Sequence, residues 1–329
     1  MQTTHLPTKV TRLSSLKGLI NALTERSYLA FCAILASVYP PVSALANGYD
    51  IWLYPLEVNS NATQPWALGQ KVAITNRTGY DNQPSFSADS QSLLFTSDRG
   101  SQHNDIYRYH IGNANLEQLT HTPTESEYSP QASRNGIRYV VEQGVPHQSV
   151  WQQTEHPDGW SPRERGIQSM IPSGYYATHE QLGTLIWARY VYSLYFEPLG
   201  ASADERHFVV AGAGRSIHVM PQQNAFSYLH KQPDGDRVIK RFEPISNTHQ
   251  ALISVKQGSE DYGWSSDGWI FNIEQQTLRA WKYQSQPNNN RWQMVTELVA
   301  PTPYHHSPSR VAISPDSRYI AIVWQRKEH

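Results

Sequence analysis

The sequence is poor in cysteine and in charged residues. Cys32 is the only cysteine among 329 residues, so no disulfide can form within the chain. Charged residues make up 17% of the chain, and 27 basic residues nearly balance 28 acidic ones, for a formal net charge of −1. Because a dedicated nucleic-acid binder presents a basic face, and no basic block occurs here, nucleic acid is not an expected partner. The composition also argues against multispan membrane and coiled-coil architectures.

The common short motifs of catalysis are missing too. No Gly-x-Ser-x-Gly stretch occurs, so no nucleophile elbow is predicted. His179-Glu180 has no second histidine at the spacing of a zinc helix, and Gly212-Ala-Gly214 lacks the third glycine of a phosphate-binding loop. We therefore predict no catalytic residue and expect a protein that is not an enzyme.

The first 46 residues are typical of an export signal. A basic leader precedes a mostly apolar run from Ser27 to Tyr39, Pro40-Pro41 ends the run, and Ala44-Leu45-Ala46 supplies the small-x-small pattern of a cleavage site. The run is short for a membrane span. The pattern predicts a signal peptide over 1–46 and a mature chain over 47–329. That chain is expected in the periplasm, with no membrane-spanning segment after cleavage.

The mature chain repeats one pattern about every 44 residues. An apolar or aromatic residue and a polar one lead into a tight turn, and a short apolar strand follows, which is a hairpin signal. Clear copies cover 84–97, 129–141, 263–271 and 311–323, and weaker copies cover 175–187 and 216–229. A third strand recurs after each copy and a fourth after most of them. A β-propeller blade has four strands in about 40–45 residues, so this spacing predicts propeller blades.

The two ends of the chain complement each other. The chain begins with a third and a fourth strand at 50–56 and 71–75, and it stops after a first and a second strand at 309–314 and 318–325. Together they make one blade, which removes an exposed sheet edge. We predict an all-β fold, a six-bladed propeller with one blade closed by strands from both termini. The segment 57–70 is an insertion of about 11 residues relative to the other blades, with no assigned purpose.

The stretch from Ile74 to Gly100, followed by Asp105-Ile-Tyr-Arg-Tyr109, is similar to the WD40-like (PD40) repeat of TolB-type propellers, and 118–130 matches it again. Segments 214–231 and 258–268 resemble a group of short exported TolB-like proteins. The resemblance implies a propeller without the α/β domain that precedes it in TolB, because the first blade strand here begins at Asp50. It also implies an envelope partner on the propeller face.

Polar and charged residues precede the innermost strand of most blades. Loops at that position ring one mouth of the central channel, where ligand sites are common. The candidate ligand- or partner-binding residues are Asp81, Glu127, Tyr176, Arg215, His218, Glu260, Asp261, His305 and His306.

Three roles are open for this set. The side chains can brace neighbouring blades. They can instead bind a polar or cationic peptide, with Arg215 taking a carboxylate. Carboxylates and imidazoles can also hold a divalent cation in the channel. We therefore expect a monomeric protein- or ligand-binding or scaffold module of the cell envelope with no required cofactor. The alternative is a metal-dependent, lactonase-like hydrolase with its site at the channel mouth.

Overall fold

The computed structural model describes residues 48–58, 65–143, 147–283 and 291–327. The predicted signal peptide and residues 59–64 of the predicted insertion lie outside them. Strands dominate the described chain, with a single turn of 3-10 helix at Ala203–Glu205. Within these residues no helix is long and apolar enough to cross a bilayer.

The strands form six separate antiparallel sheets, which are the blades of a propeller. The chain begins with β1 (Tyr49–Val58), β2 (Trp66–Leu68) and β3 (Val72–Ala73). Blade 1 consists of β4 (Asp81–Phe86), β5 (Ser92–Ser97), β6 (Asp105–His110) and β7 (Asn115–Gln118). Blade 2 consists of β8 (Ser126–Ser133), β9 (Gly136–Gln143), β10 (His147–His156), β11 (Gly159–Trp160) and β12 (Glu164–Arg165).

The next three blades follow in chain order. Blade 3 consists of β13 (Ser173–His179), β14 (Gly183–Ala188), β15 (Ser193–Pro198) and β16 (His207–Val210). Blade 4 consists of β17 (Ala213–Val219), β18 (Phe226–Lys231), β19 (Arg237–Glu243) and β20 (Thr248–Val255). Blade 5 consists of β21 (Tyr262–Trp264), β22 (Trp269–Glu274), β23 (Thr277–Lys282) and β24 (Gln293–Glu297).

Blade 6 is built from both ends of the described chain. The last two strands, β25 (His305–Ile313) and β26 (Tyr319–Arg326), pair with each other, and β26 pairs with β1 in a register that matches Asp50 with Trp324. The strands β2 and β3 then pair with the outer side of β1. This confirms the predicted six-bladed propeller with one blade closed by strands from both termini.

A serine and an aspartate two residues later fix the first turn of three blades. Ser314 Oγ donates to Asp316 Oδ1 at 2.6 Å and accepts from the backbone N–H of Tyr319 at 2.9 Å. Ser87 and Ser265 make the same pair of bonds in blades 1 and 5. Such side-chain bonds to nearby backbone compete with a continuing strand and so turn the chain. These turns account for the hairpin pattern that repeats in the sequence.

Hydrophobic clusters fill all six spaces between neighbouring blades. The third strands carry recurring aromatic residues, and repeats bury such side chains in a continuous core against their neighbours. Trp52, Tyr107 and Trp281 are buried in these clusters, and Trp151 packs against one. Tyr195 is the exception, since its ring packs against Phe208 of its own blade at 5.7 Å.

Candidate ligand site in the central channel

The first strand of each blade lines a central channel. Most of these strands carry a bulge in their pairing with the second strand, and two residues there, Gln83 (φ 58°) and Ser129 (φ 53°), adopt left-handed backbone conformations. Non-glycine residues in that region cost free energy and cluster at functional sites. The channel encloses a cavity of about 130 Å³. At least one polar side chain from each blade lines it, and six of them, one per blade, are Gln83, Ser129, Tyr175, Arg215, Asp261 and Arg310.

Two of these six residues meet across the channel. Arg310 of blade 6 donates from Nη2 to Tyr175 Oη of blade 3 at 2.8 Å, and its guanidinium also lies over the Tyr175 ring, 5.3 Å from the centroid. Blades 3 and 6 are diametrically opposite in a ring of six. The pair therefore crosses the channel, and Gln83 Nε2 reaches the same phenol oxygen at 3.5 Å.

The channel holds two guanidinium groups and one carboxylate. Arg215 donates to the Asp261 carboxylate from Nε at 3.2 Å and from Nη2 at 2.6 Å, whereas Arg310 Nη1 lies 3.9 Å from Asp261 Oδ1. Burial raises the pKa of Asp261, but Arg310 and Arg215 outweigh it and the pKa lies below its usual value. Burial likewise raises the pKa of Tyr175, and the same two cations bring it below its usual value. The cavity lining therefore brings together two positive charges and one negative charge.

A larger recess opens at one mouth and is lined by residues of blades 1 to 4, including the loops between the second and third strands of blades 1 and 3. It has a volume of about 590 Å³, and its lining includes Tyr80, Tyr128, Tyr175, Trp187 and Arg189. We call this the aromatic recess. Arg215 borders the aromatic recess and the channel cavity, and it also borders a second recess of about 370 Å³ that contains Arg310.

Five of the nine predicted site residues lie at this channel. Tyr176, Arg215, His218 and Asp261 line the cavity, and Glu260 lines the second recess. Tyr176 is buried, and its hydroxyl has no hydrogen-bond partner among the described residues. His218 Nε2 lies 3.0 Å from Ser216 Oγ, and burial lowers its pKa to about 4. His218 is therefore a neutral packed imidazole, against the ring of Tyr262.

Glu260 is already ion-paired at the edge of the second recess. Its Oε1 lies 2.7 Å from Lys231 Nζ and 3.9 Å from Arg237 Nε. Two cations therefore share this carboxylate. The lining of the second recess itself contains two cations, Arg215 and Arg310, and two carboxylates, Asp261 and Glu260.

Four predicted residues lie away from the channel lining and brace the blades. Asp81 binds Arg77 and Ser97 and is fully buried. Glu127 accepts from Thr122 Oγ1 at 2.5 Å. Burial, with the neighbouring Asp105 as a further cause, raises the pKa of Glu127 to about 7.

The two histidines of blade 6 are also outside the channel. His305 is buried, with Nε2 2.9 Å from Asp50 Oδ2 and Nδ1 2.8 Å from Thr302 Oγ1, so it ties the last blade strands to the first. His306 is exposed, and its carbonyl accepts from Gln276.

Sequence reasoning overlooked Arg310, the cation that crosses the channel. The repeat nevertheless contains a pattern that identifies the position of Arg310. Gln83, Asp261 and Arg310 each stand four residues before the serine of a Ser-x-Asp turn, and all three side chains line the cavity. Aligning the blades on that turn, rather than on the loops before each strand, finds these positions.

The structure resembles solved propellers. A putative TolB from Agrobacterium tumefaciens has a TM-score of 0.60 at 10% identity, over 85% of this chain and 98% of that one. TolB from Acinetobacter baumannii gives 0.53 at 9% identity, over 84% and 65%. The fold is that of a TolB-like propeller. A gluconolactonase from Xanthomonas campestris gives 0.54 at 9% identity, over 82% and 95%. No family model and no curated protein matches the sequence.

These likenesses extend to the fold alone, since unrelated functions share propeller folds. The TolB-like architecture expected from the sequence is confirmed at that level, and membership of the PD40 repeat family stays a prediction. Among the side chains that the structure describes, no three His, Cys, Asp or Glu groups converge as metal ligands would.

Proposed function

We propose that this chain is an exported, non-enzymatic binding module of the cell envelope, and that it docks a polypeptide partner at the aromatic recess. The observation that carries the proposal is the recess itself, a pocket of about 590 Å³ with aromatic and arginine side chains at the mouth of a charged channel. Aromatic residues and arginine are the types enriched at protein interfaces. The predicted signal peptide supports the envelope location.

An apolar surface beside the recess supports a macromolecular partner. The loop between β14 and β15 exposes three consecutive large residues, Tyr190, Val191 and Tyr192, each at about 60%. This loop also carries Arg189, which lines the aromatic recess. Met170 is 59% exposed in the loop that enters the same blade. Contiguous exposed apolar side chains on a soluble fold mark interaction sites, because water contact costs them free energy.

Cross-linking with a matched pair of variants tests the proposal. Tyr190→Ser removes an exposed ring beside the recess, and Ile245→Ser removes an apolar side chain that is even more exposed, at 81%, from the turn between β19 and β20. We expect periplasmic cross-linked adducts of the wild type to be lost in Tyr190→Ser and kept in Ile245→Ser. Adducts that are insensitive to Tyr190→Ser would overturn docking at this recess.

The hydrolase alternative requires a divalent cation bound in the channel. A divalent cation there needs carboxylates that are available to it, but Asp261 is held by Arg215 and Glu260 by Lys231. The donor set therefore fits a cation poorly. Elemental mass spectrometry of the purified chain checks this, and we expect less than one tightly held metal ion per chain. A stoichiometric ion lost in Asp261→Ala would favour the hydrolase.

A further inference from the structure

We propose that the channel receives a carboxylate of the partner polypeptide between Arg215 and Arg310. This deepens the proposed function and rests on it: the aromatic recess holds the partner segment, and one acidic group of that segment reaches inward. An acidic side chain and a chain terminus both present a carboxylate, and the two guanidinium groups recognise that group.

Charge balance is the first argument. Arg215 and Arg310 share a single carboxylate, Asp261. Among the described residues, these three are the only Asp, Glu, Lys or Arg side chains that line the cavity, so its lining carries one excess positive charge. An unbalanced charge in a partly desolvated site costs free energy unless a partner compensates it. One monoanion in the channel balances the lining.

Donor capacity is the second argument. A guanidinium has five N–H groups in a planar fork. Asp261 takes two of those on Arg215, and Tyr175 takes one on Arg310. The remaining N–H groups are available for a planar carboxylate, which accepts two parallel bonds from such a fork.

Access is the third argument. The side chain of Arg215 is 38% exposed and that of Arg310 is 15% exposed. Arg215 therefore lies nearer the solvent, and Arg310 lies deeper in the channel. Both line the second recess as well as the channel cavity. A carboxylate that enters from the mouth meets Arg215 first and then Arg310, where it competes with Tyr175 for the same guanidinium.

A polypeptide source is favoured over a free small acid by the surface around the site. The aromatic recess, lined by aromatic and polar side chains, and the exposed apolar 190–192 loop extend outward from Arg215 as further contact area. A small acid would leave that area uncovered, whereas a peptide segment covers it and delivers the charged group inward.

Peptide display on the purified protein provides the test. Random heptapeptides, presented in one library with an amidated and in another with a free C-terminus, are selected against the wild type. We expect enriched sequences to carry Asp or Glu, or to require the free C-terminus. Replacing that carboxylate by an amide is expected to weaken binding about tenfold, because the charge-assisted pair of hydrogen bonds from a guanidinium is lost.

Variants of the arginines decide where the carboxylate binds. In Arg310→Gln and Arg215→Gln we expect the preference for acid over amide to disappear, and in Arg310→Lys to persist in weakened form. Arg318→Gln, which changes an exposed arginine of the same blade in the turn between β25 and β26, keeps the full preference. Thermal unfolding shows whether each variant is folded.

The outcomes separate this inference from the function on which it rests. Enriched peptides that lack acids but lose binding in Tyr190→Ser would overturn the carboxylate and keep the docking module. If no peptide is enriched while sodium acetate raises the melting temperature in an Arg310-dependent way, the polypeptide source is wrong. If neither occurs, the carboxylate site is wrong.

Discussion

At the residue scale, Arg310 and Asp261 have opposite effects on the charge balance of the channel. Asp261 keeps its two bonds from Arg215 when Arg310 is changed, because Arg310 approaches it only to 3.9 Å. We therefore expect Arg310→Gln to leave the free energy of unfolding unchanged or slightly raised. Asp261→Asn leaves two cations without an acid, and we expect a loss of about 1–3 kcal/mol. Urea unfolding of both variants at low salt measures the contrast. A large loss in Arg310→Gln would show that the arginine serves stability.

Glu127, buried beside Asp105, gives the fold a pH-dependent stability. Its pKa is about 7 in the fold because of burial first and Asp105 in addition, against an ordinary value of 4.5 when unfolded. The folded state therefore holds this proton between pH 4.5 and 7 while the unfolded state releases it, so stability falls as pH rises through that window. Above the window the loss is complete.

The variant Glu127→Gln removes this titration. We expect the difference in unfolding free energy between the variant and the wild type to grow in favour of the variant from pH 5 to pH 7.5. Denaturant titrations of both proteins at several pH values test it. A difference that does not change with pH would contradict the raised pKa of Glu127.

At the element scale, the Ser-x-Asp turns hold the first hairpins of three blades. Ser314 is buried and makes two bonds, one to Asp316 and one from the backbone N–H of Tyr319. Ser314→Ala leaves that N–H without its side-chain acceptor, and we expect a loss of roughly 1–2 kcal/mol in unfolding free energy. Ser87→Ala in blade 1 removes the same pair of bonds, but Ser87 is only partly buried, so we expect a smaller loss. A loss for Ser87→Ala as large as that for Ser314→Ala would show that burial does not set the cost.

The same turns explain how much was predictable from the sequence. Strand spacing and blade closure follow from local turn chemistry and apolar alternation, which repeat along the chain and are readable residue by residue. The channel pairing of Tyr175 with Arg310 was not readable, because it joins residues 135 positions apart on opposite blades. The contacts of Asp81 and Glu127 were not readable either. An acid at the start of a strand has the same sequence context whether it turns toward the channel or toward Arg77 and Thr122.

At the scale of the whole molecule, ring closure depends on one buried acid. Asp50 in β1 contacts His305 at 2.9 Å, forms an ion pair with Arg326, and accepts the backbone N–H of Arg77 at 2.9 Å. These bonds join the first described strand to the last blade and to the loop that enters blade 1. Removing one member of a buried charged network leaves the others unpaired in a desolvated site.

Asp50→Ala should therefore weaken closure of the ring as a unit. We expect a loss of about 3–5 kcal/mol in unfolding free energy. Opening blade 6 would expose unpaired edges of β1 and β26, and exposed edges promote aggregation. We thus also expect faster proteolysis near both ends of the propeller and concentration-dependent aggregation on warming, measured by limited proteolysis and light scattering. Glu57→Ala is the matched control, because that glutamate is an exposed acid of the same strand, β1. If Asp50→Ala behaved like Glu57→Ala, the packing between blades 5, 6 and 1 alone would hold the ring closed.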